Sequence, residues 1–288
     1  MECRQPDFEN LAYGPHERNT LDLWLAPRRP APLVVAIHGG GWIGKNKEKY
    51  RQGAWVPLFL EAGISVAAIN YRFTIHAPMP APMLDTARAV QFLRLHAGDW
   101  GIDPERIGAT GSSAGGVNAL WVAFHEDLAN PADRDPVARQ SSRLSCVFAV
   151  KTPAFLDVRS IAEKIPIRIE EQLPLLKSLG GAGAGGAEDP RAEQIRREIS
   201  PLYLAAAGAP PVSLFYTGSD ADRPPDGEPD QGMHHPRFGR ILKRRLDDLG
   251  VECDFRCRDD YPGCTPEQFQ ECWREAAAGF LSNKLGAG

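Results

Sequence analysis

The sequence predicts an α/β fold, a mainly parallel sheet with helices on both faces. Two observations predict it. Short apolar runs, 33–37 (LVVAI) and 64–69 (ISVAAI), alternate with segments of helical periodicity. Strands that are apolar on both sides belong in a parallel sheet whose two faces are covered. The length, 288 residues, suits one large domain with a sizeable core, and that domain is expected to span 1–288.

The elements follow in order. Residues 55–62 read as a helix that stops before Gly63. Residues 83–96 place Leu84, Ala87, Val90, Phe92 and Leu93 at helical spacing. A strand at 106–110 runs straight into a helix of small residues at 114–126. Further strands are expected at 144–150 and 212–217. Residues 236–249 form a basic amphipathic helix closed by Gly250. The last strand is 251–258 and the last helix 266–285, with Pro266 suited to a first turn. Two segments break the rhythm. Residues 127–143 are polar, with two prolines, and read as an excursion at the sheet edge. Residues 157–200 read as helical over 161–179 and then enter the Gly/Ala tract 180–187, which packs no core. This segment is expected to be a lid or cap inserted over the C-terminal edge of the sheet. The alternative is an insert without contact to the site.

Composition narrows the function classes. Apolar residues are 43%, charged residues 24% and the net charge is −4, which suits a globular chain and supplies no basic stripe for nucleic acid. No apolar run reaches the 18 residues of a membrane span. Residues 1–10 lack the apolar core of a signal peptide, so a cytoplasmic location is favoured, although a trimmed secreted form would read the same. The six cysteines form no CxxC pair and read as scattered thiols, with a disulfide in the C-terminal group as the alternative. Histidines are not interleaved with them at ligand spacing, so no metal site is expected.

Two motifs carry chemistry. The run Gly111-Ser112-Ser113-Ala114-Gly115-Gly116 fits G-x-S-x-G, with a strand before it and a helix after it. Such a turn lifts Ser113 Oγ clear of the sheet as a nucleophile and sets the Ala114 N–H at a helix N-terminus, where negative charge is stabilised. The second motif, His38-Gly39-Gly40-Gly41-Trp42, follows the first apolar strand. Its glycines let backbone N–H groups converge on one oxygen, so Gly40 and Gly41 are expected to complete an oxyanion hole with Ala114. His38 reads as structural.

With these residues the chain resembles the α/β-hydrolase superfamily, in particular the esterase/lipase branch of hormone-sensitive-lipase-like, feruloyl- and acetyl-esterase-like and kynurenine-formamidase-like enzymes. Asn70-Tyr71-Arg72, then Pro80, Pro82 and Asp85, and Gly101-Ile-Asp-Pro-Glu-Arg-Ile107 before the elbow strand agree with it. The resemblance covers about 13–285 and is strongest over 33–120. It implies an α/β-hydrolase fold and cleavage of a small-molecule carboxylic ester, or an aryl formamide, through an acyl-enzyme without metal or organic cofactor.

The resemblance also implies an acid after the late strand and a histidine after the last one. The chain reads Gly218-Ser219-Asp220-Ala221-Asp222 at the first place, so either aspartate fits, and Asp220 is closer to the strand end. At the second it reads Tyr261-Pro262-Gly263-Cys264, and no histidine follows His235. A serine needs a neighbouring base. His234 or His235 is expected to supply it from the loop 220–236, on the sheet edge that also carries Ser113. His76 is a further candidate. The competing expectation is a hydrolase-fold protein that has lost efficient catalysis and keeps a binding pocket. Trp42 and His76, with Phe73, Met79 and Met83, are candidates to line an acyl or aryl substrate pocket, with ordinary core packing as the alternative for Trp42, Phe73, Met79 and Met83.

Overall fold

The computed structural model describes residues 4–179, 189–221 and 232–287. Its strands are β1 (Phe8–Ala12), β2 (Thr20–Trp24), β3 (Ala31–Ile37), β4 (Ser65–Ile69), β5 (Ile102–Ser112), β6 (Val147–Val150), β7 (Val212–Phe215) and β8 (Cys253–Arg256). They form one sheet in the order β1-β2-β4-β3-β5-β6-β7-β8. From β4 onward every neighbouring pair is parallel, while β1 and β2 run antiparallel at one edge.

Strand side chains part by parity, as a pleated backbone requires. Leu33, Val35 and Ile37 of β3 enter one core, and Val34 and Ala36 enter the other. β4 repeats the division with Ala67 and Ile69 against Val66 and Ala68. Helices α1 (Trp55–Glu61), α2 (Ala81–Leu95), α3 (Ala97–Trp100) and α4 (Ala114–Phe124) occupy the first half of the chain. α5 (Val158–Lys164), α6 (Ile169–Leu179), α7 (Pro190–Glu198) and α8 (Pro201–Leu204) lie between β6 and β7. α9 (Arg237–Asp248) and α10 (Pro266–Leu285) flank β8. The first core face is closed by α2, α4 and α9, through Met83, Leu93, Val117, Leu120, Phe238 and Leu242. The second is closed by α1 and α10, through Val56, Phe59, Phe269 and Leu281. Both faces of the central strands are therefore dry, which is why those strands read as unbroken apolar runs.

Sequence reasoning missed β1 and β2. β2 has an aspartate at its centre, which argues against a buried strand. Asp22 is nevertheless fully buried. Lys47 Nζ, itself fully buried, lies 2.8 Å from Asp22 Oδ1, and Arg51 Nε lies 2.7 Å from Oδ2. These partners offset the cost of burying the charge. The helix expected over 161–179 is divided into α5 and α6, with Pro166 in the break, because proline lacks the N–H that would continue the ladder. α7 has Asp189 as its N-cap, accepting from the Arg191 N–H at 2.8 Å. The Gly/Ala tract 180–187 lies outside the described residues. Among the described residues the five cysteines Cys146, Cys253, Cys257, Cys264 and Cys272 are free thiols, and no helix is long and apolar enough to cross a membrane.

Candidate active site

Ser113 joins β5 to α4 with φ 54° and ψ −122°. That region of backbone space costs an L residue about 1–3 kcal/mol and persists only where surrounding contacts impose it. Here the Ser113 N–H donates to the Val150 carbonyl of β6 at 2.9 Å, and the Val117 N–H donates back to the Ser113 carbonyl at 3.0 Å. The flanking glycines are demanded by close approach. A Cβ on Gly111 would lie closer than 3.0 Å to the Gly115 carbonyl, and one on Gly115 closer than 3.0 Å to the carbonyls of Ile37 and His38.

The same approach presses the loop after β3 against the elbow. Gly40 (φ 109°) and Gly41 (φ 59°) turn this loop, and the Gly40 carbonyl accepts from Ile43 and Gly44 at 3.1 and 3.2 Å. The N–H groups of Gly40, Gly41 and Ala114 have no acceptor among the described residues. The loop is held from below. His38 is buried and stacks on Tyr71 at 4.3 Å, and its Nδ1 donates to the Gly39 carbonyl at 2.7 Å. Burial lowers its pKa to about 4, so the ring is neutral at pH 7. Tyr71 Oη donates to the His38 carbonyl at 2.8 Å. Arg72 and Asp85 form a two-pronged ion pair whose shortest contact is 2.7 Å, and Asp85 also accepts the Arg72 N–H at 2.8 Å. That pair ties the segment after β4 to α2.

Two residues expected to line a substrate pocket are placed otherwise. The Trp42 indole is 1% exposed and its Nε1–H donates to Asn118 Oδ1 on α4 at 2.8 Å, so it braces the loop from inside the core. A buried indole N–H needs such an acceptor, and α4 supplies one. His76 is exposed, accepts the Phe73 N–H on Nδ1 at 3.1 Å and stacks on the Phe73 ring. The structure does not bring it to Ser113.

The imidazole that does reach Ser113 is His234, in the 3-10 turn Gly232–His234 that precedes α9. His234 Nε2 lies 2.9 Å from Ser113 Oγ. Its pKa is lowered to about 4, first by burial and then by the Lys151 and Lys45 charges. A neutral imidazole with Nε2 unprotonated can accept the serine proton. The neighbouring His235 faces elsewhere. It is 2% exposed, its Nδ1 accepts the Arg237 N–H at 3.1 Å, and its Nε2 donates to the Ala221 carbonyl at 3.1 Å. Both ring nitrogens fasten the chain entering α9, so of the two candidate histidines the structure brings His234 to Ser113.

Asp220 is also turned away from His234. Its Oδ2 pairs with Arg240, one turn into α9, and its N–H donates to Asp259 Oδ2 at 2.8 Å. Its Oδ1 is buried 3.9 Å from His235 Nδ1. The guanidinium of α9 attracts the carboxylate, and no contact joins Asp220 to His234 among the described residues. Asp222 lies outside the described residues. The lysine pair around His234 was not foreseen. Lys45 (φ 70°) and Lys151 (φ 48°) have unusual backbone conformations, which no sequence pattern marks.

α6 lies over these loops. A Cβ on Gly41 would touch Leu175 Cδ1 at 3.3 Å, and one on Gly232 would meet Gln172 at 2.9 Å. Among the described residues no cluster of three metal-ligating side chains exists.

A family model, BD-FAE, matches residues 21–226. The chain belongs to the BD-FAE family. This is consistent with the α/β-hydrolase fold and esterase/lipase branch that its motifs resemble. Among curated relatives, the probable carboxylic ester hydrolase LipM of Mycobacterium tuberculosis is 36% identical over 222 residues, 74% of this chain and 48% of that protein. The probable isoprenylcysteine alpha-carbonyl methylesterase ICMEL1 of Arabidopsis thaliana is 25% identical over 276 residues, 91% of this chain and 54% of that protein. This BD-FAE member therefore spans about half the length of those relatives. Among solved structures, a truncated carbohydrate esterase from gut microbiota superposes with a TM-score of 0.75 at 20% identity, covering 98% of this chain and 100% of that one. The propionate-bound esterase Est2 of Thermogutta terrifontis gives 0.66 at 20% identity, covering 93% and 89%. These likenesses show the shared fold.

Proposed function

We propose that the chain hydrolyses carboxylic esters through an acyl-enzyme on Ser113. The observation that carries this reading is the 2.9 Å contact between Ser113 Oγ and His234 Nε2 at a strained elbow. His234 takes the hydroxyl proton as Oγ attacks the ester carbonyl. The tetrahedral oxyanion is met by the Gly40, Gly41 and Ala114 N–H groups, each such donor being worth about 2.7–4 kcal/mol in the transition state. The imidazolium then returns its proton to the leaving alcohol, and water reverses the sequence to release the acid. The esterase names of the relatives support the reaction class. The contacts of Leu175 and Gln172 support a role for 157–200 as a lid on this site. The reading is tested with a short-chain 4-nitrophenyl ester beside Ser113→Ala. Hydrolysis abolished by the substitution is expected, and hydrolysis that survives it would contradict the reading.

We assign the acid that orients His234 to Asp222, because Asp220 is engaged by Arg240. Asp222→Asn is expected to lower kcat by about 10²–10⁴-fold, the scale of losing an orienting carboxylate. Asp220→Asn is expected to lower kcat less than about tenfold while reducing the melting temperature. A large loss of kcat in Asp220→Asn at unchanged melting temperature would reverse the assignment.

The pH profile follows from His234. The folded site holds its pKa at about 4, below the ordinary 6.5, so the base form survives to mildly acidic pH. In Asp222→Asn, where no carboxylate supports the imidazole, the acid limb of kcat/KM should fall near pH 4, and a limb at or above pH 6.5 in that variant would contradict this environment. Stability carries the opposite sign of benefit. A histidine kept neutral by the fold stabilises it above pH 6.5, and that contribution is lost as pH drops from 6.5 toward 4, where only the unfolded chain takes the proton. His38 adds to the same window.

A further inference from the structure

A cavity of about 630 Å³ opens beside the elbow, toward the second core face. Gly111 and Ser112 form part of its wall, together with Tyr50 and Phe269 of the second core face. His234 approaches from the first face, where its neighbour Met233 is packed. Lys151 belongs to both surroundings: it lines this cavity, and its charge helps to lower the His234 pKa.

The lining of this cavity is unbalanced in charge. Lys49, Lys151, Arg258 and Arg274 line it, and none of its described lining residues is acidic. The chain as a whole carries a net charge of −4, so the cluster runs against the overall balance. Arg258 is spoken for, since it donates to the carbonyls of Tyr261 and Cys264 at 2.6 Å each. Arg274 is not: its Nε is buried without a hydrogen-bond partner among the described residues. A buried donor of that kind costs free energy until something accepts from it. Lys49 and Lys151 have no carboxylate partner among the described residues either, and Lys45 stands close enough to repel both. Lys49 is held down to about 8 by the protein around its ammonium and then by Lys45 and Lys151. An anion among them would relieve this repulsion and supply the missing acceptor. Trp55 and Trp273, whose rings meet at 4.9 Å, give the cavity an apolar wall for the rest of a ligand.

We propose that this cavity binds the anionic group, carboxylate or phosphate, of a small ligand, with Lys49, Lys151 and Arg274 as its donors. The proposal does not depend on the hydrolytic reading, because anion binding is read without turnover. Its test is calorimetric titration of the Ser113→Ala protein, in which no turnover intervenes, with succinate and with inorganic phosphate at low ionic strength. Saturable binding of one equivalent is expected, weakened at least tenfold in Arg274→Met and in Lys49→Met, with the melting temperature of each variant checking that the fold is intact. The preferred probe distinguishes carboxylate from phosphate as the group recognised. In the active protein, a Lys49→Met loss of kcat/KM for mono-4-nitrophenyl succinate but not for 4-nitrophenyl butyrate would make the cavity a substrate subsite. Equal kcat/KM changes, with anion binding still lost, would make it a site for a separate ligand. Absence of saturable binding, or binding indifferent to both substitutions, would overturn the proposal.

Discussion

Replacing His234 with alanine should lower kcat/KM for a short-chain ester by at least about 10³-fold, on the scale known for loss of a nucleophile's base. Ser113→Ala should fall to the same level, and the double variant should fall no further. Residues that act on one proton fail together, so their losses do not add. His235→Ala is the internal control. Its ring fastens Ala221 and Arg237 rather than Ser113, so its loss should appear in the melting temperature with less than about a tenfold change in kcat. Steady-state kinetics of the four variants checks all of this. Equal losses in His234→Ala and His235→Ala would mean that the pair is exchangeable and the proposed division of labour is wrong.

Gly115→Ala should cost more stability than any ordinary surface change. Its new methyl group would fall closer than 3.0 Å to the Ile37 and His38 carbonyls, which are backbone atoms at the end of the central strand. Neither can move without shifting the loop that carries Gly40 and Gly41. Overpacking against side chains typically costs 1–3 kcal/mol, and a backbone clash at the sheet's centre belongs at or beyond about 3 kcal/mol. The melting temperature should fall by roughly 6 °C or more in a chain of this size. Activity should fall in the protein that remains folded, because the displaced loop carries two of the proposed oxyanion donors. A melting temperature within 1–2 °C of the parent, within roughly 0.5 kcal/mol, would show that α4 can retreat from β3.

Much of this was legible in the sequence because it depends on local rules. The central strands announced themselves as unbroken apolar runs, since both of their faces are dry. The elbow was legible because close backbone approach admits only glycine at 111 and 115. α10 was bounded by its own ends: Thr265 accepts the Gln268 N–H at 3.3 Å as N-cap, and Gly286 closes the helix in the left-handed region. β2 was not legible, because the partners that neutralise Asp22 come from 47 and 51, far along the chain. The roles of His234 and His235 were not separable either. Two adjacent histidines differ only in where the 3-10 turn points them, and that direction is set by Met233 and Phe238 packing into the first core face. The pairing of Asp220 with Arg240 was not legible for a related reason. Distance along the chain from a strand end carries no information about Arg240, which becomes a neighbour only once α9 has folded against β8. Where the resemblance implies a histidine, the loop after β8 is instead clamped by Arg258 across the Tyr261 and Cys264 carbonyls.

The central claim is that Ser113 owes its reactivity to His234. The most direct measurement is the rate at which a fluorophosphonate labels Ser113, with the modified peptide identified by mass spectrometry. That reaction needs the activated serine but no particular ester. Labelling of Ser113 is expected in the parent, at a similar rate in His235→Ala, and at least about 100-fold more slowly in His234→Ala, the low end of what one positioned base contributes. Labelling of Ser113 at the parent rate in His234→Ala would contradict the account, because the 2.9 Å contact would then do nothing to activate the serine.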